Sequence, residues 1–257
     1  MDTAFIIGNG ESRTIFPIED LKGHGILYGC NGIYRDYPTL CDHIVAVNPP
    51  MYVEVLEWYD QKRPNSLKLH GPQDISKWNY IMPGEDDELS TPQNLKLYRV
   101  WRGARPPGHD RSIPGDNVIR TIDFSTSKGS GMSAVLMAAE SGIKNVVILA
   151  FDILGGRQWL TSQAMSREQN NIYKNTLNYP NRINMKAYLK YEWMFQLRQI
   201  LRRHPKTNFY FINRRENIRT NTYLRWYFDQ PNIKTGIYAD LRRWVEGYRD
   251  DIKWMRL

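Results

Sequence analysis

A doubly wound α/β architecture of the Rossmann kind, a mainly parallel sheet with helices on both faces, is what this 257-residue sequence predicts. Short, nearly continuous apolar runs alternate with helix-like stretches, as expected of strands buried on both faces. Those runs stop at Gly, Asn or Asp, residues that turn a chain sharply where a strand ends. The 41% hydrophobic content suffices for the core of one large domain.

The first element is Ala4-Phe5-Ile6-Ile7, an apolar run stopped by Gly8-Asn9-Gly10. Gly25 to Cys30 forms the next and ends at Asn31-Gly32; His43 to Val47 follows and ends at Asn48-Pro49-Pro50. Met51, Val55 and Trp58 have helical spacing. From about Gln61 to Pro114 the chain is rich in Pro, Gly and charge, and only Leu95 to Trp101 reads as a strand. A strand over Asn117 to Phe124 leads into Ser125 to Gly131, which opens a helix carried by Met132, Val135, Leu136 and Ala139. After Ser141-Gly142, Asn145 to Asp152 reads as a fully buried strand. Residues 154–181 are polar and aperiodic, which suits a lid over the strand ends. Met185, Leu189, Trp193, Leu197 and Leu201 recur every fourth residue and predict a long helix ending near His204-Pro205, before a strand over Asn208 to Asn213. The organisation expected is a nucleotide-binding domain over 1–213 and a basic, aromatic extension over 214–257, folded as one or two helices packed on that domain.

Open α/β sheets bind ligands where the carboxyl ends of their strands converge with helix N-termini. The residues expected there are Gly8, Asn9, Gly10, Asn31, Asn48, Ser130, Gly131, Phe151 and Asp152. Glycines let a backbone approach phosphate oxygens, and equally they form a tight turn. Asparagine both donates and accepts, which suits a sugar hydroxyl or a base edge, and it also favours turns on its own account. Ser130 and Gly131 offer amides to an anion or simply cap the helix, while Asp152 suits a ribose hydroxyl or a metal, or ends its strand. The dinucleotide fingerprint G-x-G-x-x-G is incomplete because Arg13 stands at its last glycine, and no G-x-x-x-x-G-K-[ST] loop occurs.

A net charge of +8 favours anionic partners: nucleotides, nucleic acid or acidic glycans. Seven basic residues and one acid lie between Asn181 and Lys206, a pattern a solvated helix face also explains. Cys30 and Cys41 match no metal-ligand spacing and read as buried thiols in a reducing compartment. No run approaches the roughly 18 apolar residues of a membrane span, so a cytoplasmic protein is expected, in the host cytoplasm if phage-encoded, or one assembled into a virion there.

The segments Ile6-Ile7-Gly8-Asn9-Gly10-Glu11-Ser12, Gly29-Cys30-Asn31 with Tyr34, Val47-Asn48-Pro49, and Ser130-Gly131 leading to Ile148-Leu149-Ala150-Phe151-Asp152 resemble, in order and spacing, the bacterial lipooligosaccharide sialyltransferases. The resemblance covers about residues 4 to 213. The same frame is similar to motility-accessory glycosyltransferases, to archaeal hydroxymethylpterin pyrophosphokinase-like proteins, and to proteins of tailed phages of marine bacteria. It implies a CMP-sugar donor, with Asn9 and Gly10 at the phosphates, Asn31 and Asn48 at sugar and nucleotide, Ser130 and Gly131 at the donor carboxylate, and Phe151-Asp152 at ribose and cytosine. It also implies a lid whose tyrosines, here Tyr173 and Tyr179, assist departure of the phosphate. The family's lid histidine is unmatched, since no histidine lies between His109 and His204, and Glu11 replaces the proline usual after the Gly-Asn-Gly turn.

The leading expectation is therefore a glycosyltransferase-like protein using a nucleotide or nucleotide-sugar donor, with an Asp or Glu, Asp152 among them, as base, a glycan as acceptor and the need for a divalent metal open. Two other readings stay open: a non-catalytic Rossmann-like virion or host-interaction component, self-assembled as a homo-oligomer, that docks through Trp, Tyr and Arg of its tail; and a nucleic-acid binder using the basic helix and tail.

Overall fold

Nine described strands form one sheet in the order β6-β5-β4-β3-β2-β1-β7-β8-β9. They are β1 (Thr3–Ile7), β2 (Ile26–Cys30), β3 (His43–Val45), β4 (Lys68–Pro72), β5 (Leu97–Arg102), β6 (Ile122–Phe124), β7 (Asn145–Leu149), β8 (Asn208–Asn213) and β9 (Ile233–Ile237). Every neighbouring pair is parallel. The structure is a computed structural model that describes residues 1–46, 55, 58, 68–72, 97–102, 122–124, 129–152, 188–215, 218 and 230–255. The helices that matter below are α1 (Ser130–Glu140), α2 (Tyr188–Arg203) and α3 (Tyr238–Val245).

The period-2 geometry of a strand sends alternate residues to opposite faces, and both faces here are apolar. Ala4, Ile6, Val146, Ile148, Phe209 and Phe211 pack beneath α1 and α2, with Met132, Val135, Leu197 and Leu201 pressed onto them. Phe5, Ile7, Val147, Leu149, Tyr210 and Ile212 face the other way, against Phe16, Ile33, Leu241 and Trp244. The expected α/β class and its parallel, doubly covered sheet are what the chain adopts. Cys30 belongs to the first layer and Cys41 to the second, and both are free, buried thiols.

Helix α1 covers the central strands because it is small and apolar, with nine of its residues buried. Its start is tied to α2, where Gln196 Oε1 accepts the Gly129 N–H at 3.3 Å. Helix α2 buries Met194, Leu197, Ile200 and Leu201 and exposes Arg202 and Arg203; of the residues expected every fourth place, Leu197 and Leu201 are among the buried ones, and Met185 lies outside the described residues. It ends before Pro205, and Asn232 Nδ2 donates towards the carbonyls of Leu201, His204 and Thr207 at 2.9–3.2 Å.

Two strands were not anticipated. β4 lies in the Pro- and charge-rich region, paired to β3 and β5. β9 lies in the extension predicted to be helical: Phe209 to Asn213 pair with Ile233 to Ile237, so the extension adds a strand to the sheet before α3 begins. Ile233-Lys234-Thr235-Gly236-Ile237 is too short and mixed to stand out, and its strand character comes from the β8 edge that it completes.

Beyond α3 the chain returns over the same face. Arg249 lies 4.2 Å over the Trp244 ring and donates to Asn145 Oδ1 at the start of β7. Trp244 and Trp254 pack against Tyr210 with ring centroids 4.7 and 4.8 Å away. No helix among the described residues is long and apolar enough to cross a membrane.

Candidate functional site

Chain order reverses at one place in the sheet: from β1 it runs outward through β2 to β6, and from β7 outward through β8 to β9. The loops leaving β1 and β7 therefore diverge to opposite sides and leave a crevice above the strands' carboxyl ends. Gly8-Asn9-Gly10 leaves β1 and Ala150-Phe151-Asp152 leaves β7, side by side.

The two loops are laced together. Gly8 N–H donates to Leu149 O and Gly10 N–H to Ala150 O, both at 2.9 Å. A Cβ on residue 8 would stand 2.3 Å from Ala150 O, and one on residue 10 would stand 2.5 Å from the Asp152 carboxyl carbon. Glycine is required at both positions because another part of the same chain occupies the space. Ala150 itself has φ 58°. A residue with a Cβ pays about 1–2 kcal/mol in that left-handed region, so the turn is strained and held by its neighbours.

Those neighbours form a hydrogen-bonded chain. Ala150 N–H donates to the Tyr238 hydroxyl at 3.1 Å, Tyr238 and Ser12 share a hydrogen bond of 2.8 Å, and the Ser12 hydroxyl donates to Asp152 Oδ1. Ser12 N–H adds a bond to Asp152 Oδ2 at 2.8 Å. Burial pushes the Tyr238 hydroxyl well above the usual tyrosine range, with the nearby Asp152 carboxylate adding to the shift. It therefore stays protonated and passes its hydrogen on to Ser12, which is free to give its own to Asp152. With one donor on each carboxylate oxygen, Asp152 is oriented and keeps further lone pairs for ligand hydroxyls.

Arg13 explains why the fingerprint lacks its last glycine. Its side chain is only 3% exposed, pairs with Asp36, and donates to Gly10 O at 3.0 Å. Arg13 thus clamps the β1 turn from below, and a five-residue 3-10 helix, Glu11–Ile15, replaces the long helix that a dinucleotide fold places there. The amides of Gly8, Gly10, Ser12 and Arg13 all serve acceptors within the protein.

On the other side of the crevice, Asn31 follows β2 with φ 47°, a conformation that asparagine tolerates. The Ser130 hydroxyl, at the start of α1, donates to Asn31 Oδ1 at 2.7 Å. The Phe151 ring lies on Gly131, where a Cβ would come within 2.2 Å of it. Asn213, fully buried at the end of β8, donates to Phe151 O at 2.9 Å and fixes the β7 loop from beneath.

Of the residues singled out from sequence, Gly8, Asn9, Gly10, Asn31, Ser130, Gly131, Phe151 and Asp152 thus gather at one end of the sheet. Asn48, Tyr173, Tyr179 and the lid segment 154–181 lie outside the described residues. Ser12, Arg13, Tyr238 and Asn213 were not assigned roles from sequence. Tyr238 is 226 residues from Ser12, and no local pattern could have paired them. Among the described residues no cluster of His, Cys, Asp and Glu could hold a metal ion.

Comparison of the chain with family models, with curated proteins and with solved structures finds no match.

Proposed function

We propose that the protein is a glycosyltransferase-like enzyme that binds a nucleotide-activated donor, a nucleotide sugar such as a CMP-sugar, in the crevice between the β1 and β7 loops. The observation that carries this reading is the strained Ala150 turn at the point where chain order reverses, which sets Asp152 at the crevice with both oxygens oriented by Ser12. Strain of this kind persists where the surroundings enforce it, and it concentrates at ligand sites. An oriented carboxylate with spare lone pairs suits the paired hydroxyls of a ribose. Asn31 and Ser130 across the crevice supply polar groups for a sugar or base, and the +8 charge favours a phosphorylated ligand. Tyr173 and Tyr179 remain the residues proposed to assist the leaving phosphate.

The test is thermal unfolding against CMP, CDP, UDP, GDP and ADP, with and without Mg²⁺ or Mn²⁺, followed by assay of donor-sugar release with the nucleotide that stabilises. A ligand at about 100 times its Kd should add roughly 2.7 kcal/mol. Asn31→Gly, which keeps the left-handed backbone and deletes the side chain, should weaken that binding by about 1–3 kcal/mol. Absence of any shift across the panel would sink the reading and leave a non-catalytic role in its place.

A further inference from the structure

A second opening lies one strand further along the same edge of the sheet. A cavity of about 390 Å³ sits at the carboxyl ends of β8 and β9, lined by Asn213, Arg214 and Arg215 after β8 and by Ile237, Tyr238 and Ala239 at the end of β9 and the start of α3. Ile15, from the 3-10 turn after β1, also lines it.

Its charge is unbalanced. Arg215 is exposed and has no ion partner among the described residues. Among the described residues the buried Arg214 Nε has no hydrogen-bond acceptor, and the acid paired with that side chain, Glu11, stands 3.9 Å away at the outer limit of an ion pair. Both arginines line the cavity, and the guanidinium group presents its N–H donors in a fork that matches phosphate and carboxylate oxygens. The first residues of α3 line the same cavity and bring the positive end of a helix dipole to it. Asp240 does not oppose this arrangement, because its carboxylate accepts the Ile237 N–H at 2.8 Å and caps the helix. The remaining wall, Ile15, Ile237 and Ala239, is apolar, and the volume suits a small molecule rather than a chain.

We propose that this cavity is an oxyanion subsite for a second small molecule bearing a phosphate or carboxylate and that, resting on the transferase reading, this molecule is the acceptor. Tyr238 joins the two sites: it lines the cavity, while its hydroxyl enters the Ser12–Asp152 chain at the donor crevice. An occupant of the cavity is thereby held next to the proposed donor.

Isothermal titration of the whole protein with inorganic phosphate and with acetate, alone and with the stabilising nucleotide present, tests this and tells the two anions apart. Phosphate or acetate should bind in both conditions. Arg215→Ala should weaken that binding about tenfold or more through loss of a charge-assisted contact, Arg215→Lys should restore part of it, and neither should change nucleotide affinity. Arg215 is exposed, so its replacement spares the fold where replacing half-buried Arg214 could disturb it. No binding of either anion, or equal binding by wild type and Arg215→Ala, would overturn the subsite. An equal loss of nucleotide affinity in Arg215→Ala would overturn the second molecule and make the cavity the donor's own phosphate site. Anion binding that survives a wholly negative nucleotide panel would uphold the subsite while the transferase reading fell.

Discussion

At the scale of single residues, the site is built from groups that satisfy one another before any ligand arrives. Tyr238 gives an acceptor to Ala150 and a hydrogen to Ser12, and Tyr238→Phe should remove both, leaving a buried N–H without an acceptor. The expected cost is about 1–3 kcal/mol in urea unfolding, and an unchanged midpoint would mean that the chain of bonds contributes nothing to stability. Gly10→Ala should cost a similar amount, about 1–3 kcal/mol, because the new methyl would overlap the Asp152 carboxyl and Ala150 O. Alkaline pH should also weaken the fold. Burial pushes the Cys30 thiol up from 9.0 to about 12, and Cys41 and Tyr238 shift in the same direction for the same reason. The unfolded chain then releases these protons first, so stability is intact below about pH 9 and falls as pH rises towards 12. Cys30→Ala should flatten part of that slope in urea midpoints measured across the range; an identical slope would show that Cys30 takes no part. These residue-scale features were unevenly legible. The glycines of the β1 turn stand out in sequence, but the reason for them is Ala150 and Asp152, some 140 residues away, rather than a phosphate alone.

At the scale of elements, α1 and α2 follow from periodicity because each carries an apolar face long enough to register a pattern. Their ends depend on distant partners. The carboxyl end of α2 is closed by Asn232, whose amide, from the loop before β9, serves the carbonyl of Leu201 in the last turn and those of His204 and Thr207 in the turn that follows. Asn232→Ala should therefore lower the midpoint of thermal unfolding, by about 1–3 kcal/mol in stability, and a scan unchanged from wild type would remove that cap from the account. β4 and β9 escaped prediction for a common reason. Each is five residues long, β4 with Gly and Pro in it and β9 with Lys and Gly, and their pairing partners rather than their own composition make them strands. Of the aromatic tail, Tyr223, Trp226 and Tyr227 lie outside the described residues, while Trp244 and Trp254 lie within them. Trp244 is buried against the sheet and Trp254 packs beside it, so these two residues hold the fold instead of reaching outward.

For the molecule as a whole, the extension after residue 213 is a structural part of the sheet. Removing residues 214–257 would uncover Tyr210 and Ile212, delete the β9 partner of β8, and take Tyr238 from Ser12. The 1–213 fragment is thus expected to be unfolded or aggregated by circular dichroism and size-exclusion chromatography; a folded monomer with wild-type melting would refute this view. The doubly wound order follows from simple rules: parallel neighbours need crossovers, crossovers cover faces, and a chain that winds both ways from its centre must leave a crevice there.

By itself the sequence determined the alternation of buried strands and amphipathic helices, and hence the α/β class and the end of the sheet where glycines, asparagines and Asp152 collect. These are properties of local pattern, since periodicity and turn chemistry are written within a few consecutive residues. Only the tertiary structure decided which of those groups meet: that Asp152 is held by Ser12, that Ser12 is held by Tyr238, that Arg13 fills the place of a missing glycine, and that two arginines share a cavity with the start of α3. Such contacts join residues far apart in the chain, and their partners are set by strand order and register, which no short stretch of sequence encodes.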